Sequence, residues 1–145
     1  EREMRVVSHP GRRVPLHCGA AGKAILAHAG EALLRALFEA GLDVHTTRTI
    51  SDAEALRREL SRIRERGWSH EDREYSDDVA GVGAPVMDEF GHVLAALAVR
   101  APAARLDTRR ATEIAGAVMR AARDIAASVA AARQADGAGG AGPPP

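Results

Sequence analysis

A β-hairpin in the middle of the chain constrains the fold more than any other feature of the sequence. The small-residue run Val79–Met87 and the apolar run 92–100 flank a four-residue turn at 88–91. Short apolar runs this close together pair as antiparallel strands. Successive strand side chains point to opposite faces, so the second run has one face of larger side chains, which we expect to pack on helices. Its other face narrows to alanines and ends at Arg100, a profile typical of a cavity wall. The two faces are Val93, Ala95, Leu97 and Val99, and Leu94, Ala96, Ala98 and Arg100.

Apolar periodicity around the hairpin predicts four helices, over residues 21–29, 31–40, 52–66 and 108–132. Ser51 and Glu54 have the spacing of a capping box at the start of the third helix. The remaining predicted segments are extended pieces at 5–8 and 12–16, a loop at 42–50, and a strand followed by a loop at 69–78. Helices packed on an antiparallel sheet give an α/β (α+β) fold.

The chain has the length of one domain. Its 145 residues suffice for a single core, which we assign to residues 1–132, and the Gly/Pro-rich segment 133–145 is predicted to be a disordered tail. Twenty basic and twenty acidic residues cancel, so charge gives no reason to expect binding to nucleic acid or to a membrane. The single cysteine excludes an internal disulfide, and no apolar run is long enough to span a membrane. No signal peptide is recognised, and the cytoplasm is the expected location.

A glycine-rich turn leads into the first predicted helix, within residues 15–27. It holds the only lysine of the chain, Lys23, and the only cysteine, Cys18. Turns that enter a helix expose unpaired backbone N–H groups at the positive end of the helix dipole, where an anion binds favourably. A Walker A loop is excluded, because His17 stands where that motif needs glycine and Ala24 where it needs Ser or Thr. The turn is predicted to form the backbone-amide floor of a small-ligand pocket.

The pair His17 and Cys18 raises the alternative of a metal or catalytic site. None of the six histidines has another histidine four residues away, and there is no second cysteine, so the spacing of zinc sites is absent. Adjacent residues of an extended segment also point to opposite faces. The sequence therefore favours a buried histidine beside a small core thiol, with no metal and no cofactor.

An acidic segment follows Trp68, with carboxylates at Glu71, Asp72, Glu74, Asp77 and Asp78. Paired carboxylates serve glycoside hydrolysis, but that chemistry needs two groups across a sugar-sized cleft. We expect a solvated loop for most of these residues, with one or two facing a pocket. A small cytoplasmic enzyme that uses Cys18 or Glu71/Asp72 is the alternative function at this point.

The ordered set of these segments resembles the effector-binding domain of the isocitrate lyase regulator (IclR) family of bacterial transcription factors. The resemblance covers residues 12–132, and each motif alone is weak whereas the ordered set is specific. The matching motifs are the segment 15–27, Thr49 with the cap at 51–54, 60–67 followed by an aromatic residue, the acidic segment, Ala84-Pro85-Val86 with Asp88 and Gly91, and the second strand of the hairpin.

This resemblance implies a GAF-like domain, in which a curved antiparallel sheet with helices packed on it holds a small-ligand pocket. In the family, a winged helix-turn-helix precedes this domain and binds DNA, and dimers or tetramers respond to a small organic or aromatic acid. The chain is then expected to be a fragment without the DNA-binding part and without the first helix and strands of the effector domain. Such a fragment is not an enzyme and does not bind DNA by itself. A dimerisation module without a working pocket is a further alternative.

The resemblance also assigns the effector site by position. The corresponding residues are Cys18, Gly19, Ala20, Ala21, Glu71, Val79, Gly81, Ala98 and Arg100. Small hydroxyl residues are common in the family at the last two positions, where they bind a carboxylate, and the departures at Gly81 and Ala98 enlarge the cavity and remove donors. Arg100 either compensates through a guanidinium–carboxylate contact or points to solvent at the end of its strand.

Overall fold

Helices cover both faces of a three-stranded antiparallel sheet in the computed structural model of the chain, which describes residues 10, 11 and 13–138. Three helices come first: α1 (Ala20–Leu26), α2 (Glu31–Ala40) and α3 (Ala53–Arg66). They are followed by strands β1 (Ser69–Asp72), β2 (Val79–Met87) and β3 (Val93–Pro102), a 3₁₀ turn (Ala103–Arg105) and the long helix α4 (Thr108–Ala138). The predicted α/β (α+β) fold class is confirmed.

The predicted hairpin is confirmed as β2 and β3. β2 is the central strand, with β1 on one side and β3 paired along its whole length on the other. The side chain of Asp88 closes the turn, because its Oδ1 accepts hydrogen bonds from the backbone N–H groups of Phe90 at 2.9 Å and His92 at 2.8 Å. β3 continues two residues past its predicted end, to Pro102.

The larger hydrophobic core lies between the sheet and α4. One face of β2 and one face of α4 each supply four buried side chains, namely Ala80, Val82, Ala84 and Val86, and Ala111, Ala115, Val118 and Ala122. From β3, Leu97 and Ala101 pack partly against this core, whereas Val99 is 43% exposed. The expectation that this whole face of β3 packs on helices is therefore wrong, because α4 lies mainly over the central strand.

A second core lies among α1, α2 and α3. Its large buried side chains are Leu26, Leu34, Leu56, Leu60 and Ile63. Each of them contributes roughly 1.5–3 kcal/mol through removal of its apolar surface from water. The bounds predicted for α2 are confirmed.

Several predicted ends are wrong. α1 ends at Leu26, three residues early. The cap of α3 is Asp52, whose Oδ2 accepts a hydrogen bond from the N–H of Ala55 at 2.7 Å, so the predicted capping box of Ser51 and Glu54 does not form.

The predicted tail also begins too early. Helix α4 runs through 133–138, where four of the six residues, Arg133, Gln134, Ala135 and Ala138, have high helix propensity. Residues 13–15 have no regular secondary structure, so the extended piece predicted at 12–16 is not a strand. The predicted strand at 5–8 and the rest of the tail, 139–145, lie outside the described residues. Within 10–138, no helix has both the length and the apolar character needed to cross a membrane.

Helix α1 lies directly on the backbone of β2, on the face of the sheet opposite α4. A Cβ atom at Gly83 would stand 2.7 Å from the carbonyl oxygen of Ala20 and 2.8 Å from Oγ of Ser69. The hydroxyl of Ser69 donates a hydrogen bond of 2.5 Å to that same carbonyl. Because residue 83 is glycine, there is room for the hydrogen bond between Ser69 of β1 and Ala20 of α1.

We expect Gly83→Ala to destabilise the domain by about 1–3 kcal/mol, the usual effect of overpacking, because the methyl group meets backbone atoms that cannot give way. The measurement is urea unfolding followed by circular dichroism. Gly30→Ala is the matched control, since a Cβ there meets nothing within 4 Å and the backbone φ is −69°. Equal midpoints for the two variants would show that α1 does not need this close approach.

Candidate functional site

A cavity of about 540 Å³ opens between α1 and the sheet. This volume lies within the range of small-molecule sites, roughly 300–1,000 Å³. Glu71 and Arg100 are the charged residues of its wall, and the others are apolar or glycine. The complete lining is Val14, Pro15, Leu16, Gly19, Ala20, Ala21, Gly22, Ile25, Glu71, Ala98 and Arg100.

The glycine-rich turn forms one side of this cavity because it folds back on α1. A Cβ at Gly22 would stand 2.4 Å from the carbonyl oxygen of Leu16, so only glycine lets the turn at 16–18 approach the helix this closely. Gly19 caps the helix without a side chain, which leaves its first amides to other partners. The N–H of Ala20 is one of them, and it points to the sheet.

Glu71, Gly81 and Arg100 form a row across the three strands. Gly81 of β2 is opposite Glu71 of β1 on one side and Arg100 of β3 on the other. A Cβ at Gly81 would stand 3.2 Å from Oε2 of Glu71 and 3.3 Å from Cγ of Arg100. The two long side chains therefore meet over the bare backbone of Gly81. The expectation that Gly81 enlarges the cavity is wrong, because Glu71 and Arg100 occupy the space above it.

The carboxylate of Glu71 on β1 is hydrogen-bonded both to α1 and to β3. Glu71 is fully buried, its Oε2 accepts a hydrogen bond from the N–H of Ala20 at 3.3 Å, and its Oε1 accepts one from Nη2 of Arg100 at 3.2 Å. Buried carboxylates need such partners, because an unpaired buried charge is costly. The N–H of Ala20 belongs to the turn that the sequence predicts to bind an external anion, but it is already hydrogen-bonded to the carboxylate of Glu71.

Arg100 faces the turn rather than the solvent. Its side chain is 24% exposed and lines the same cavity as Gly19 and Ala20, so of the two alternatives left open by the sequence, the solvent-facing one is set aside. Among the described residues, its buried Nε has no hydrogen-bond partner. The guanidinium therefore keeps N–H groups that are not used in the pair with Glu71. The charges of Arg100 and Glu71 cancel, so the formal charge of the cavity wall is zero.

The nine residues that the sequence assigns to the effector site separate into two groups. Gly19, Ala20, Ala21, Glu71, Ala98 and Arg100 line the cavity, whereas Cys18, Val79 and Gly81 do not. The predicted site list omits five residues of the lining, namely Val14, Pro15, Leu16, Gly22 and Ile25. Helical spacing gives a signal for Ile25, since it follows Ala21 by four residues on the same face of α1.

The thiol of Cys18 is not placed for covalent catalysis. It is fully buried, and its Sγ lies 3.9 Å from the carbonyl oxygen of Pro15. Burial, reinforced by the carboxylates of Glu71 and Glu74, raises the pKa of this thiol to about 12. The nucleophilic form of cysteine is the thiolate, so Cys18 does not act as a nucleophile at neutral pH.

Lys23 is a buried structural residue and not a surface one. It is 1% exposed, and its Nζ donates hydrogen bonds to the carbonyl oxygen of His70 at 2.5 Å and to Oε1 of Glu74 at 2.6 Å. Oε1 of Glu59 on α3 lies 3.7 Å from the same ammonium. One charge thus ties α1 to β1, to the segment after β1 and to α3.

The acidic segment is therefore solvated only in part. Asp77 and Asp78 are exposed as predicted, but Glu71 and Glu74 are buried. Asp72 pairs with Arg48 at the surface, away from Glu71, because adjacent strand residues point to opposite faces. Glu71 and Asp72 do not form a carboxylate pair across a cleft.

Comparison with known proteins agrees with the resemblance seen in the sequence. The profile of the family described as "Bacterial transcriptional regulator IclR C-terminal" matches residues 1–127. The HTH-type transcriptional regulator BhcR of Paracoccus denitrificans is 34% identical over 128 residues, which are 88% of this chain and 46% of BhcR. The chain spans about half the length of the curated relatives it matches.

Solved structures give the same result. The structure of Thermotoga maritima IclR matches with a TM-score of 0.79 at 28% identity, over 88% of this chain and 52% of that one. The C-terminal domain of Escherichia coli KdgR matches with a TM-score of 0.73 at 34% identity, over 81% of this chain and 72% of that one. These relatives are transcriptional regulators and not enzymes, so the enzyme alternative is set aside.

We expect Lys23→Met to destabilise the domain by about 3–5 kcal/mol at neutral pH, because Glu74 then keeps a buried charge without its partner. Burial raises the pKa of Glu74, and Lys23 counteracts this shift. Removing Lys23 raises that pKa further, and the folded state then takes up a proton that the unfolded chain binds only at lower pH. The destabilisation should accordingly shrink as the pH falls towards about 5.

The measurement is urea unfolding of wild type and variant over this pH range. The matched control is Arg109→Met, which breaks the exposed pair with Glu113 and is expected to change stability by less than about 1 kcal/mol. A loss in Lys23→Met that is as small as in the control, or independent of pH, would contradict a buried Lys23–Glu74 pair.

Proposed function

This chain belongs to the IclR C-terminal family of bacterial transcriptional regulators, and we propose that it is the ligand-sensing domain of such a regulator. The observation that supports a sensing role is the cavity, in which the paired charges of Arg100 and Glu71 and the turn before α1 stand in an otherwise apolar wall. Such walls with a few convergent polar groups are typical of small-molecule sites. Regulators of this family bind small-molecule effectors and DNA.

The effector we propose is a small organic or aromatic acid. Arg100 has five N–H donors, and the hydrogen bond to Glu71 engages Nη2 only. The remaining donors of this partly exposed guanidinium are suited to receive a carboxylate, while Leu16, Ile25 and Ala98 contact the carbon skeleton. Glu71 holds the guanidinium in position from the other side.

Glu71 also limits how tightly an acid binds. Two carboxylates around one guanidinium repel each other, and the ligand receives only part of the attraction of Arg100. Position 71 thereby sets the affinity for acids, whereas the apolar wall sets the size of the skeleton. The sequence departure at Ala98 fits this arrangement, since alanine offers no hydroxyl group for a carboxylate.

Regulation requires that the effector favour one state of the protein over another. We propose that the chain assembles as a homodimer or homotetramer and that effector binding shifts the population of its quaternary arrangements, which depends on differential affinity. DNA is then bound by a helix-turn-helix of the kind named for relatives such as BhcR, of which this chain matches 46%. A regulator that works on bacterial DNA acts in the cytoplasm.

The test is a thermal-shift screen of the chain against small carboxylates and aromatic acids at millimolar concentration, with affinities of the hits measured by calorimetry. An acid at a hundred times its Kd stabilises the folded state by about 2.7 kcal/mol. We expect Arg100→Met to weaken each hit at least about tenfold, or roughly 1.4 kcal/mol. Arg58→Met, which breaks an exposed Arg–Glu pair on α3, is the matched control and should leave affinity unchanged.

Two results would contradict the proposal. If no acid stabilises the chain, the domain is a dimerisation module without a working pocket. If the hits bind Arg100→Met as well as wild type, acids are recognised elsewhere.

A second substitution tests the role of Glu71. Glu71→Gln keeps the shape and an oxygen for the N–H of Ala20 but removes the competing charge beside Arg100. We expect acids to bind roughly tenfold more tightly to this variant, measured by calorimetry with the hits of the screen. Weaker binding would show that Glu71 contacts the effector directly, as a hydrogen-bond acceptor.

A further inference from the structure

Three side chains of metal-ligand type meet beside the cavity. Ring nitrogens of His17 and His45 and Sγ of Cys18 all lie within 4.8 Å of one another. His17 and Cys18 come from the turn at 16–18 and are buried, whereas His45 comes from the loop between α2 and α3 and is exposed. Two of the three candidate ligands are thus buried, and the third lies at the surface.

One ring nitrogen of His17 has a backbone hydrogen-bond partner. Its Nε2 lies 2.9 Å from the carbonyl oxygen of Asp43. A carbonyl oxygen only accepts, so Nε2 carries the hydrogen and the lone pair of the neutral ring is on Nδ1. Histidine ligands commonly donate their second ring N–H to a carbonyl group, which fixes the tautomer and the ring plane.

The loop that carries His45 is held in place as well. Oγ1 of Thr49 accepts hydrogen bonds from the backbone N–H groups of His45 at 3.0 Å and Thr46 at 2.9 Å. The ring of His45 packs against Tyr75, with centroids 5.1 Å apart. These contacts keep an exposed histidine next to a buried thiol before any ion binds.

We propose that His17, Cys18 and His45 bind one Zn²⁺ ion, with solvent in the fourth position. Two imidazole nitrogens and one sulfur are a donor set that suits Zn²⁺ and the neighbouring transition metals and does not suit Mg²⁺ or Ca²⁺. Ligand bonds of about 2.0–2.3 Å draw the three atoms together by on the order of 1 Å, a movement that falls on the exposed His45. A zinc–thiolate bond forms at Cys18, and the thiol proton passes to solvent.

The position of this site gives the ion a structural role. Cys18 directly precedes Gly19, which lines the cavity, so a bound ion joins that wall to the loop between α2 and α3. The inference does not depend on the nature of the effector. The pair His17 and Cys18 raised a metal site in the sequence, but spacing gave no sign of the third ligand, because His45 comes from a distant segment. The proposal thus departs from the sequence-based expectation of no metal.

The test uses the full chain freed of metal by dialysis against EDTA and then titrated with Co²⁺ or Zn²⁺ alone. We expect one equivalent of Co²⁺ to produce a thiolate-to-metal charge-transfer band together with the intense visible bands of a tetrahedral site, and Zn²⁺ to abolish both. Cys18→Ser should lose the charge-transfer band. His45→Asn should weaken Zn²⁺ binding at least tenfold, and the control His92→Asn, an exposed histidine of the hairpin turn, should bind Zn²⁺ as wild type does.

His45→Asn keeps the test decisive if Cys18→Ser fails to fold, because the side chain of His45 is exposed and is not part of either core. The absence of a charge-transfer band in the wild-type chain would overturn the proposal. So would equal affinity for Zn²⁺ in wild type and His45→Asn.

Discussion

The direct contact between α1 and the backbone of β2 is the constraint on which the rest of the structure depends. A short helix normally rests on side chains, but the alternating glycines of β2 remove them and let α1 settle onto the strand itself. This approach brings the first amide of α1 within reach of Glu71, the carbonyl of Ala20 within reach of Ser69, and Lys23 within reach of Glu74. Wider spacing at this interface would leave each of these buried polar groups without its partner, at a cost of several kcal/mol.

The sequence predicted the elements that rest on local pattern. Alternation predicted the hairpin, and apolar periodicity with a terminal glycine predicted α2 with both bounds. Errors arose where a local pattern had a close competitor: Asp52 stands beside Ser51 and takes the cap, and residues of high helix propensity carry α4 past its predicted end. The prediction for the packing of β3 was wrong for another reason: α4 lies mainly over the central strand, and local sequence pattern does not indicate where a helix lies on a sheet.

The candidate site shows the same division more sharply. The turn, Ala98, Arg100 and, by the resemblance, Glu71 were placed at a cavity from the sequence, but the ion pairs were not. The burial of Glu74 was not predicted, because burial of an acid depends on a cation elsewhere in the chain, 51 residues away at Lys23, and the partner of Glu71, Arg100, is 29 residues away. The sequence predicted empty space at Gly81, because glycine has no side chain. Side chains of the two flanking strands fill that space. Pairings across strands are a property of register, which emerges only when the sheet is assembled.

The length of α4 has a mechanical consequence. Among the side chains that the structure describes in this helix of 31 residues, packing against the main core ends at Ala122 and the partly buried Ala126. The 12 residues after Ala126 extend about 18 Å at 1.5 Å per residue. A helix held at one end acts as a lever: a tilt of about 5° at the sheet displaces its far end by roughly 2 Å. The sheet carries α4 on one face and the cavity on the other. Small movements of its strands are therefore magnified at the C-terminal end of α4.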